Sequence, residues 1–156
     1  MDITFHKKKT RFNYRVGAII IQNGSLLCVK NKNADYYYSV GGRVKINETS
    51  LDALHREVFE ETGLKLEVSR LVLIHENFFT EERTHEQFHE ISFYFEMEGP
   101  FSNSDIVSKS HTELGEAEEL VSLSIHQLDK IKLYPEVLKE VILHPQPGIK
   151  HMITYQ

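Results

Sequence analysis

Alternating hydrophobic and polar positions in the first third of the chain predict β-strands. The segments 14–21 and 25–29 are rich in aliphatic residues, and Asn23 and Gly24 lie between them. An Asn-Gly pair supplies the positive φ angles of a type I′ turn, so we expect a β-hairpin here. A short aromatic strand is predicted over 36–40.

The segment that follows has the period of an amphipathic helix. Leu51, Leu54 and Val58 recur at i, i+3 and i+7, which places them on one face. We expect that face to anchor the helix in the core. Gly63 is the predicted C-terminal cap, because glycine readily adopts the left-handed conformation found there. Three residues are candidates for the N-cap: Asn47, Thr49 and Ser50.

Strand patterns return in the second half of the chain, where they mix with two helical patterns. The predicted strands are 64–68, 71–74, 91–97 and 120–123, and the predicted helices lie near 127–128 and over 135–143. Strands and helices in this irregular order predict an α/β fold in which helices pack on the faces of a mixed sheet. We expect one domain spanning residues 1–156.

Composition and charge narrow the class of protein. A chain of 156 residues with 40% hydrophobic and 26% charged residues has the composition of a globular domain. The net charge of −5 argues against a general binder of nucleic-acid polymers. No apolar run approaches the ~20 residues of a membrane span, so we expect a cytoplasmic protein without a membrane partner. The single cysteine, Cys28, lies in an apolar run and is expected in the core.

Three carboxylates in the predicted helix carry the strongest chemical signal. Glu57, Glu60 and Glu61 stand at i, i+3 and i+4, so a helix places all three on one face. Such a cluster repels itself at neutral pH, and a hard divalent cation with oxygen ligands relieves that repulsion. The alternative is a solvated helical face on which Arg56 and Glu60 pair at i, i+4.

These residues belong to a longer pattern between Gly42 and Leu64, which we call the box. The box matches G-x5-E-x7-R-E-U-x-E-E-x-G-U, where U is aliphatic and x is any residue. This pattern is the signature of the Nudix hydrolases, and the chain resembles that family at every defined position and, more loosely, over residues 11–143. The resemblance implies an α/β/α sandwich with a mixed central sheet. It also implies hydrolysis of a nucleoside diphosphate linked to another group, X, with Mg²⁺ as cofactor and Mn²⁺ as a substitute.

The resemblance also implies roles for individual residues of the box. The metal ligands that it implies are Glu57, Glu60 and Glu61, with the backbone carbonyl of Gly42 as a candidate further ligand. Arg56 then orients the carboxylates, and Glu48 lies at the helix start as a supporting partner. These roles suit the chemistry, because bound cations neutralise a diphosphate and activate the attacking water.

The general base of the implied reaction is left open. It lies either in the box, at Glu57 or Glu61, or in the acidic segment 111–119. In that segment Glu119 is the preferred candidate, because it lies just before the last predicted strand, where the resemblance to the family's C-terminal tail begins. Glu118 is the alternative. Loops at such places often carry function.

Aromatic and basic residues near the box are candidate contacts to the substrate. Rings before the box and after a central strand could stack on a base. The residues predicted to bind the substrate are Arg43, Tyr38 and Phe79. The expected partner is a small-molecule nucleotide, whereas the identity of X, the identity of the base and the formation of a homodimer are left open.

Two further interpretations are weighed against this one. A non-catalytic, nucleotide-sensing Nudix-like domain is the alternative function, but such a domain is expected to lose a box carboxylate, and this chain keeps them all. Several histidines suggest a zinc site, but nothing in their spacing selects three or four convergent ligands. We expect these histidines at the surface or beside the substrate: His75, His85, His89 and His111.

Overall fold

The computed structural model describes residues 1–106 and 118–156, and within these ranges nine strands and two α-helices are present. The strands are β1 (Thr4–Lys7), β2 (Thr10–Gln22), β3 (Ser25–Asn31), β4 (Tyr37–Arg43), β5 (Glu67–Thr80), β6 (Gln87–Glu98), β7 (Glu118–Ser124), β8 (Leu133–Tyr134) and β9 (Lys150–Tyr155). The helices are α1 (Ser50–Thr62) and α2 (Val137–Leu143). Short 3₁₀ turns cover Asn103–Asp105 and Ile125–Lys130.

One mixed sheet contains these nine strands. Its order is β7-β3-β4-β2-β6-β5-β9, with β1 beside β2 and β8 beside β4. β2 runs parallel to β6, β5 to β9 and β4 to β8, whereas the other pairs are antiparallel. The predicted mixed sheet is therefore confirmed. So is the β2–β3 hairpin, whose turn holds Asn23 at φ 52° and Gly24 at φ 72°.

Successive residues of a strand point to opposite faces of the sheet, and this alternation builds two hydrophobic cores. Val16 of β2 packs in one core with Leu54 of α1, on a side that we call the α1 face. Ile19 of β2 packs in the other core with Leu138 of α2, on the α2 face. Helix, sheet and helix thus form the predicted α/β/α sandwich. Cys28 is fully buried in the second core, as expected.

The ends of α1 are set by local capping. Thr49 is the N-cap among the three candidates: its hydroxyl accepts the Asp52 N–H at 3.1 Å, and the Asp52 carboxylate accepts the Thr49 N–H at 3.1 Å. Gly63 ends the helix at φ 76°, where its N–H donates to the Phe59 carbonyl. These caps fix which residues of the helix face the sheet.

The predicted core stripe of α1 is only partly buried. Leu54 and Val58 are buried, but Leu51 is 45% exposed, so the expectation that Leu51 anchors the helix is wrong. Leu51 lies in the first turn, and the packed core ends one turn short of the helix start. Within the described ranges, no helix has the length and apolar character needed to cross a bilayer.

Candidate active site

Strand β4 and helix α1 bring the box residues together. Gly42 of β4 lies directly against α1: a Cβ at this position would fall on the carboxyl group of Glu57. Any side chain here would therefore displace Glu57. At the neighbouring position, the Gly41 N–H lies 3.4 Å from Oε2 of Glu61. The missing side chain of Gly42 thus lets the Glu57 carboxylate approach the β4 backbone closely, and the backbone N–H of Gly41 faces Glu61.

Arg56 holds the box carboxylates in place through several hydrogen bonds. Its Nε donates to Oε1 of Glu48 at 2.5 Å and its Nη2 to Oε2 of Glu48 at 3.0 Å. Nη1 donates to Glu57 at 2.8 Å and to Glu60 at 3.3 Å, and Nη2 also donates to the Arg43 carbonyl at 3.0 Å. The hydrogen bonds from Arg56 lower the pKa of Glu48 to about 2. Arg56 thus links Glu48, which precedes the helix, with two carboxylates of α1 and with the end of β4.

Glu57 and Glu61 are crowded carboxylates in a desolvated position. Burial raises the pKa of both, and for Glu61 it does so to about 8, with the charges of Glu57 and Glu118 adding to the effect. Glu60 differs, because its side chain is 53% exposed and its nearest cation is Arg56. Two half-buried carboxylates that repel each other favour a cation between them.

The donor set of the box fits a hard divalent cation. Carboxylate and carbonyl oxygens are the ligands that Mg²⁺ prefers, and Glu57 and Glu61 converge on the Gly41–Gly42 backbone. In the described part of the chain, however, no three His, Cys, Asp or Glu side chains form a closed metal-binding group. For Glu60 to join Glu57 and Glu61 as a metal ligand, its exposed side chain has to turn toward them.

Glu118, at the start of β7, approaches the box from a distant part of the chain. The Tyr38 hydroxyl donates a hydrogen bond to Glu118, and burial together with this bond raises the pKa of Tyr38. Glu118 also contributes to the raised pKa of Glu61. Its neighbour Glu119 is exposed. Between the two candidates for the base, the structure therefore brings Glu118 to the box and leaves Glu119 outside, while residues 111–117 lie outside the described ranges.

The predicted substrate contacts occupy different places. Arg43 lies at the end of β4 beside the box, and Tyr38 is engaged with Glu118. Phe79 stacks on Phe88 with ring centroids 4.9 Å apart, in a row of the sheet that contains Arg11. Along β2, Arg11 lies five residues from Val16, the partner of Gly42, which is about 17 Å at ~3.3 Å per residue. The structure does not bring Phe79 to the box, and its contact with substrate stays a prediction.

The histidines that the structure describes do not form a metal-binding group. His75 is 2% exposed, so the expectation of a surface position is wrong for this residue. Its Nε2 lies 2.8 Å from Oγ1 of Thr154, whose hydroxyl donates to Asn77 at 2.8 Å, so this ring nitrogen carries the proton. Polar partners from β5 and β9 satisfy the buried ring. His111 lies outside the described residues.

Arg15 is the residue near the box that the sequence interpretation missed. It follows Tyr14 and precedes Val16 in β2, and the available signal was a charged residue inside the predicted strand 14–21, whose other residues are uncharged. Glu90 of β6 lies close enough to contribute to the raised pKa of Arg15. Sequence spacing alone could not place two residues 75 positions apart beside each other.

Comparisons with known proteins place this site in a family. The family model described as the NUDIX domain matches residues 11–144. The chain is a member of the Nudix family. A MutT-like protein from Streptomyces ambofaciens is 31% identical to this Nudix domain over 61 residues, which are 39% of this chain and 40% of that relative. The aligned stretch therefore spans less than half of that relative's length.

Solved structures share the Nudix fold of this chain. The mutator MutT protein from Bacillus halodurans superposes with a TM-score of 0.68 at 15% identity, covering 92% of this chain and 89% of that chain. A Nudix hydrolase from Nitrosomonas europaea has a TM-score of 0.64 at 18% identity, covering 92% and 79%. At these identities the likeness establishes the fold, and the chemistry has to be argued from the site.

Proposed function

We propose that this Nudix domain is a divalent-metal-dependent hydrolase that cleaves the phosphoanhydride bond of a nucleoside diphosphate linked to X. A nucleoside triphosphate or another nucleotide derivative is the substrate, and an activated water is the nucleophile. The observation that supports this most directly is the placement of Glu57 and Glu61 against the two glycines of β4, with Arg56 fixing Glu57.

The chain's own residues supply the framework for the cation. The residues that would hold it are Glu57, Glu60 and Glu61, with the carbonyl of Gly42. When bound, Mg²⁺ or Mn²⁺ neutralises the diphosphate, polarises its phosphoryl oxygens and lowers the pKa of the attacking water. Arg56 keeps the Glu57 carboxylate oriented, and Glu48 fixes Arg56 through both carboxylate oxygens.

We assign the general base to Glu118 in place of Glu119. A base has to lie within hydrogen-bond reach of the water, directly or through one further water, and Glu118 is the candidate from β7 whose charge reaches Glu61. Tyr38 donates to Glu118 and so restricts its orientation. The Glu118 carboxylate then accepts the proton of the attacking water. Glu57 and Glu61 remain the alternatives within the box.

The experiment that tests the proposed function is a phosphate-release screen. The purified chain is assayed against nucleoside triphosphates, dinucleotides and nucleotide sugars, each with Mg²⁺ and with Mn²⁺. We expect turnover of at least one nucleotide with a metal and none in EDTA. Nucleotide binding without any turnover would favour the sensing domain, and cleavage of inositol pyrophosphates alone would contradict the nucleotide class.

A further inference from the structure

Strand β9 ends the sheet with a free backbone edge. Among the described strands it pairs with β5 alone. The N–H of Gln156 donates to the Phe78 carbonyl of β5 at 2.8 Å, so the even-numbered residues of β9 direct their backbone groups to β5. Because these groups alternate in direction along a strand, the N–H and C=O of the odd-numbered residues point away from the sheet. The odd-numbered residues are His151, Ile153 and Tyr155.

The edge of β9 lacks the features that usually keep sheet edges apart. Such edges are protected by proline, by β-bulges or by lysine. β9 contains no proline, and its pairing with β5 has no register shift. Lys150 donates to Glu140 of α2 at 3.2 Å, and His151 Nε2 lies 2.7 Å from Oε2 of Glu76. Strand β1, in contrast, leads into the three lysines Lys7–Lys9. The basic side chains of β9 are therefore paired within the chain and do not repel a second strand.

Apolar side chains are exposed along the same edge. Ile153 is 51% exposed and Tyr155 is 78% exposed, and both share one face of the sheet with His151. The ring of Tyr155 stacks on Phe78 with centroids 5.0 Å apart, and Phe78 stacks on His89 at 4.3 Å. In the described part of the chain this row of rings ends at Tyr155. A strand placed beside β9 would cover both exposed side chains.

A second copy of β9 in antiparallel orientation satisfies this edge in one register. With a two-fold axis at Ile153, that residue opposes its own copy, and His151 opposes Tyr155 of the second copy. All three are residues with outward backbone groups, so each pair exchanges two N–H···O=C hydrogen bonds. Every outward N–H and C=O of β9 is then used. An axis at Met152 instead leaves Tyr155 outside the strand pairing.

The side chains agree with the register centred on Ile153. Two isoleucines meet at the axis, and β-branched residues stabilise such cross-strand pairs. The exposed ring of Tyr155 lies beside the imidazole of His151 from the second copy, which continues the row of rings across the interface. The strand is therefore complementary to itself, as a two-fold interface requires.

We propose that the outer edge of β9 binds β9 of a second copy of this chain, which gives a two-fold dimer with one continuous sheet. The interface of a single six-residue strand pair is small, so we expect a dissociation constant on the order of micromolar. The box lies on β4, four strands from β9 in the sheet order, which is about 19 Å at ~4.8 Å per strand. The dimer therefore leaves the box open, and this inference does not depend on the proposed function.

The first test is sedimentation velocity of the parent and of variants at Ile153, from about 1 to about 200 µM, a range that brackets a micromolar dissociation constant. Ile153→Lys places like charges opposite each other at the axis, and we expect the dissociation constant to rise at least ~10-fold. Ile153→Pro removes an outward N–H and no hydrogen bond to β5, and it should also abolish the dimer. The matched control is Leu51→Lys, at an exposed leucine of α1, which should dimerise as the parent does.

The second test reads the register through disulfide cross-linking. Opposed residues of a hydrogen-bonded antiparallel pair have Cα atoms ~5.5 Å apart, which suits a disulfide. Under mild oxidation, Ile153→Cys should therefore form a covalent dimer. Tyr155→Cys should not, although this position is more exposed, because the two copies of residue 155 lie about 13 Å apart at ~3.3 Å per residue. The parent should stay uncross-linked, since Cys28 is fully buried.

The outcomes decide the dimer separately from the activity. A parent that stays monomeric up to about 200 µM, a dimer that Ile153→Lys does not weaken, or equal cross-linking of Tyr155→Cys and Ile153→Cys would overturn the proposal. Thermal unfolding checks each variant, and if Ile153→Pro is not folded, Ile153→Lys and the cross-linking decide. Phosphate release per chain by Ile153→Lys should equal that of the parent. A dimer without any nucleotide turnover would contradict the proposed function and leave the β9 interface standing.

Discussion

Glu118 and Glu119 show how one step along a strand decides the chemistry of a residue. Both are acidic and adjacent, and neither composition nor charge distinguishes them. In β7 they alternate in direction, and the pairing of Asn31 with Glu118 and of Lys30 with Glu119 sets which one faces inward. Glu118 reaches Tyr38 and the box, whereas Glu119 is exposed.

This pair gives a matched test of the general base. Glu118→Gln removes the carboxylate that we propose as the general base, and we expect kcat to fall by roughly 10²–10⁴ with metal affinity mostly retained. Glu119→Gln makes the same chemical change one residue away and should leave kcat unchanged. Steady-state kinetics at saturating Mg²⁺ checks both. A parent-like kcat for Glu118→Gln would return the base to the box.

His75 makes a prediction about stability rather than activity. Burial lowers the pKa of His75, so below about pH 6.5 the unfolded chain binds more protons at this residue than the folded chain does. Its contribution to stability is therefore complete above about pH 6.5 and is lost as the pH falls. Urea unfolding of the parent and His75→Gln should show a smaller pH dependence for the variant.

The control for this prediction is an exposed histidine of α1. His55→Gln should keep the pH dependence of the parent between about pH 7.5 and about pH 5.5, because it removes an exposed side chain and leaves the buried His75 in place. If the free energy of unfolding falls by the same amount in His75→Gln and in the parent as the pH is lowered over this interval, the folded protein does not hold the buried His75 ring neutral.

At the scale of the element, α1 carries most of the candidate site, and its start depends on one cap. Thr49→Ala removes the side-chain acceptor for the Asp52 N–H. A lost N-cap costs ~1 kcal/mol, which lowers Tm by about 2–4 °C for a domain of this size. Ser50→Ala, one residue later, should change Tm little. Calorimetry that shows equal Tm values for both variants would contradict the assignment of Thr49 as the cap.

Elements with local signals could be predicted from the sequence. The period of α1, its glycine cap and the Asn-Gly turn of the first hairpin all depend on residues within a few positions of each other. Strand β5 was harder to predict from the sequence. Register shifts at Val68/Arg70 and Leu71/Leu73 interrupt the alternation of its side chains between the two faces of the sheet. The sequence therefore predicts two shorter strands where one strand runs from Glu67 to Thr80.

Elements that depend on distant partners could not be predicted. β9 pairs in parallel with residues 73–78 of β5, more than 70 positions earlier, and its segment Lys150–Tyr155 has few strongly apolar residues. β1 has only four residues and pairs with β2. For the same reason the sequence did not point to Arg15 and could not decide between Glu118 and Glu119, since strand register decides which side chains approach the box. The carboxylates of the box needed only helical spacing.

At the scale of the whole molecule, the sheet gathers residues from distant segments around β4. Arg15 comes from β2, Glu57 and Glu61 come from α1, and Glu118 comes from β7. The cores on the two faces hold these elements in register, with α1 on one side and α2 on the other. The charged groups around β4 therefore come from elements that are far apart in the sequence.

The measurement that tests the central claim most directly is the Mg²⁺ dependence of phosphate release by the parent, Glu61→Gln and Glu67→Gln. Glu67 is an exposed carboxylate at the start of β5, so Glu67→Gln controls for the loss of one charge. We predict that the parent is inactive in EDTA and active with Mg²⁺, that Glu67→Gln behaves as the parent, and that Glu61→Gln stays folded but turns over at least ~100-fold more slowly. Turnover of Glu61→Gln at the parent rate with saturating Mg²⁺ would contradict the assignment of the box carboxylates as the catalytic metal site.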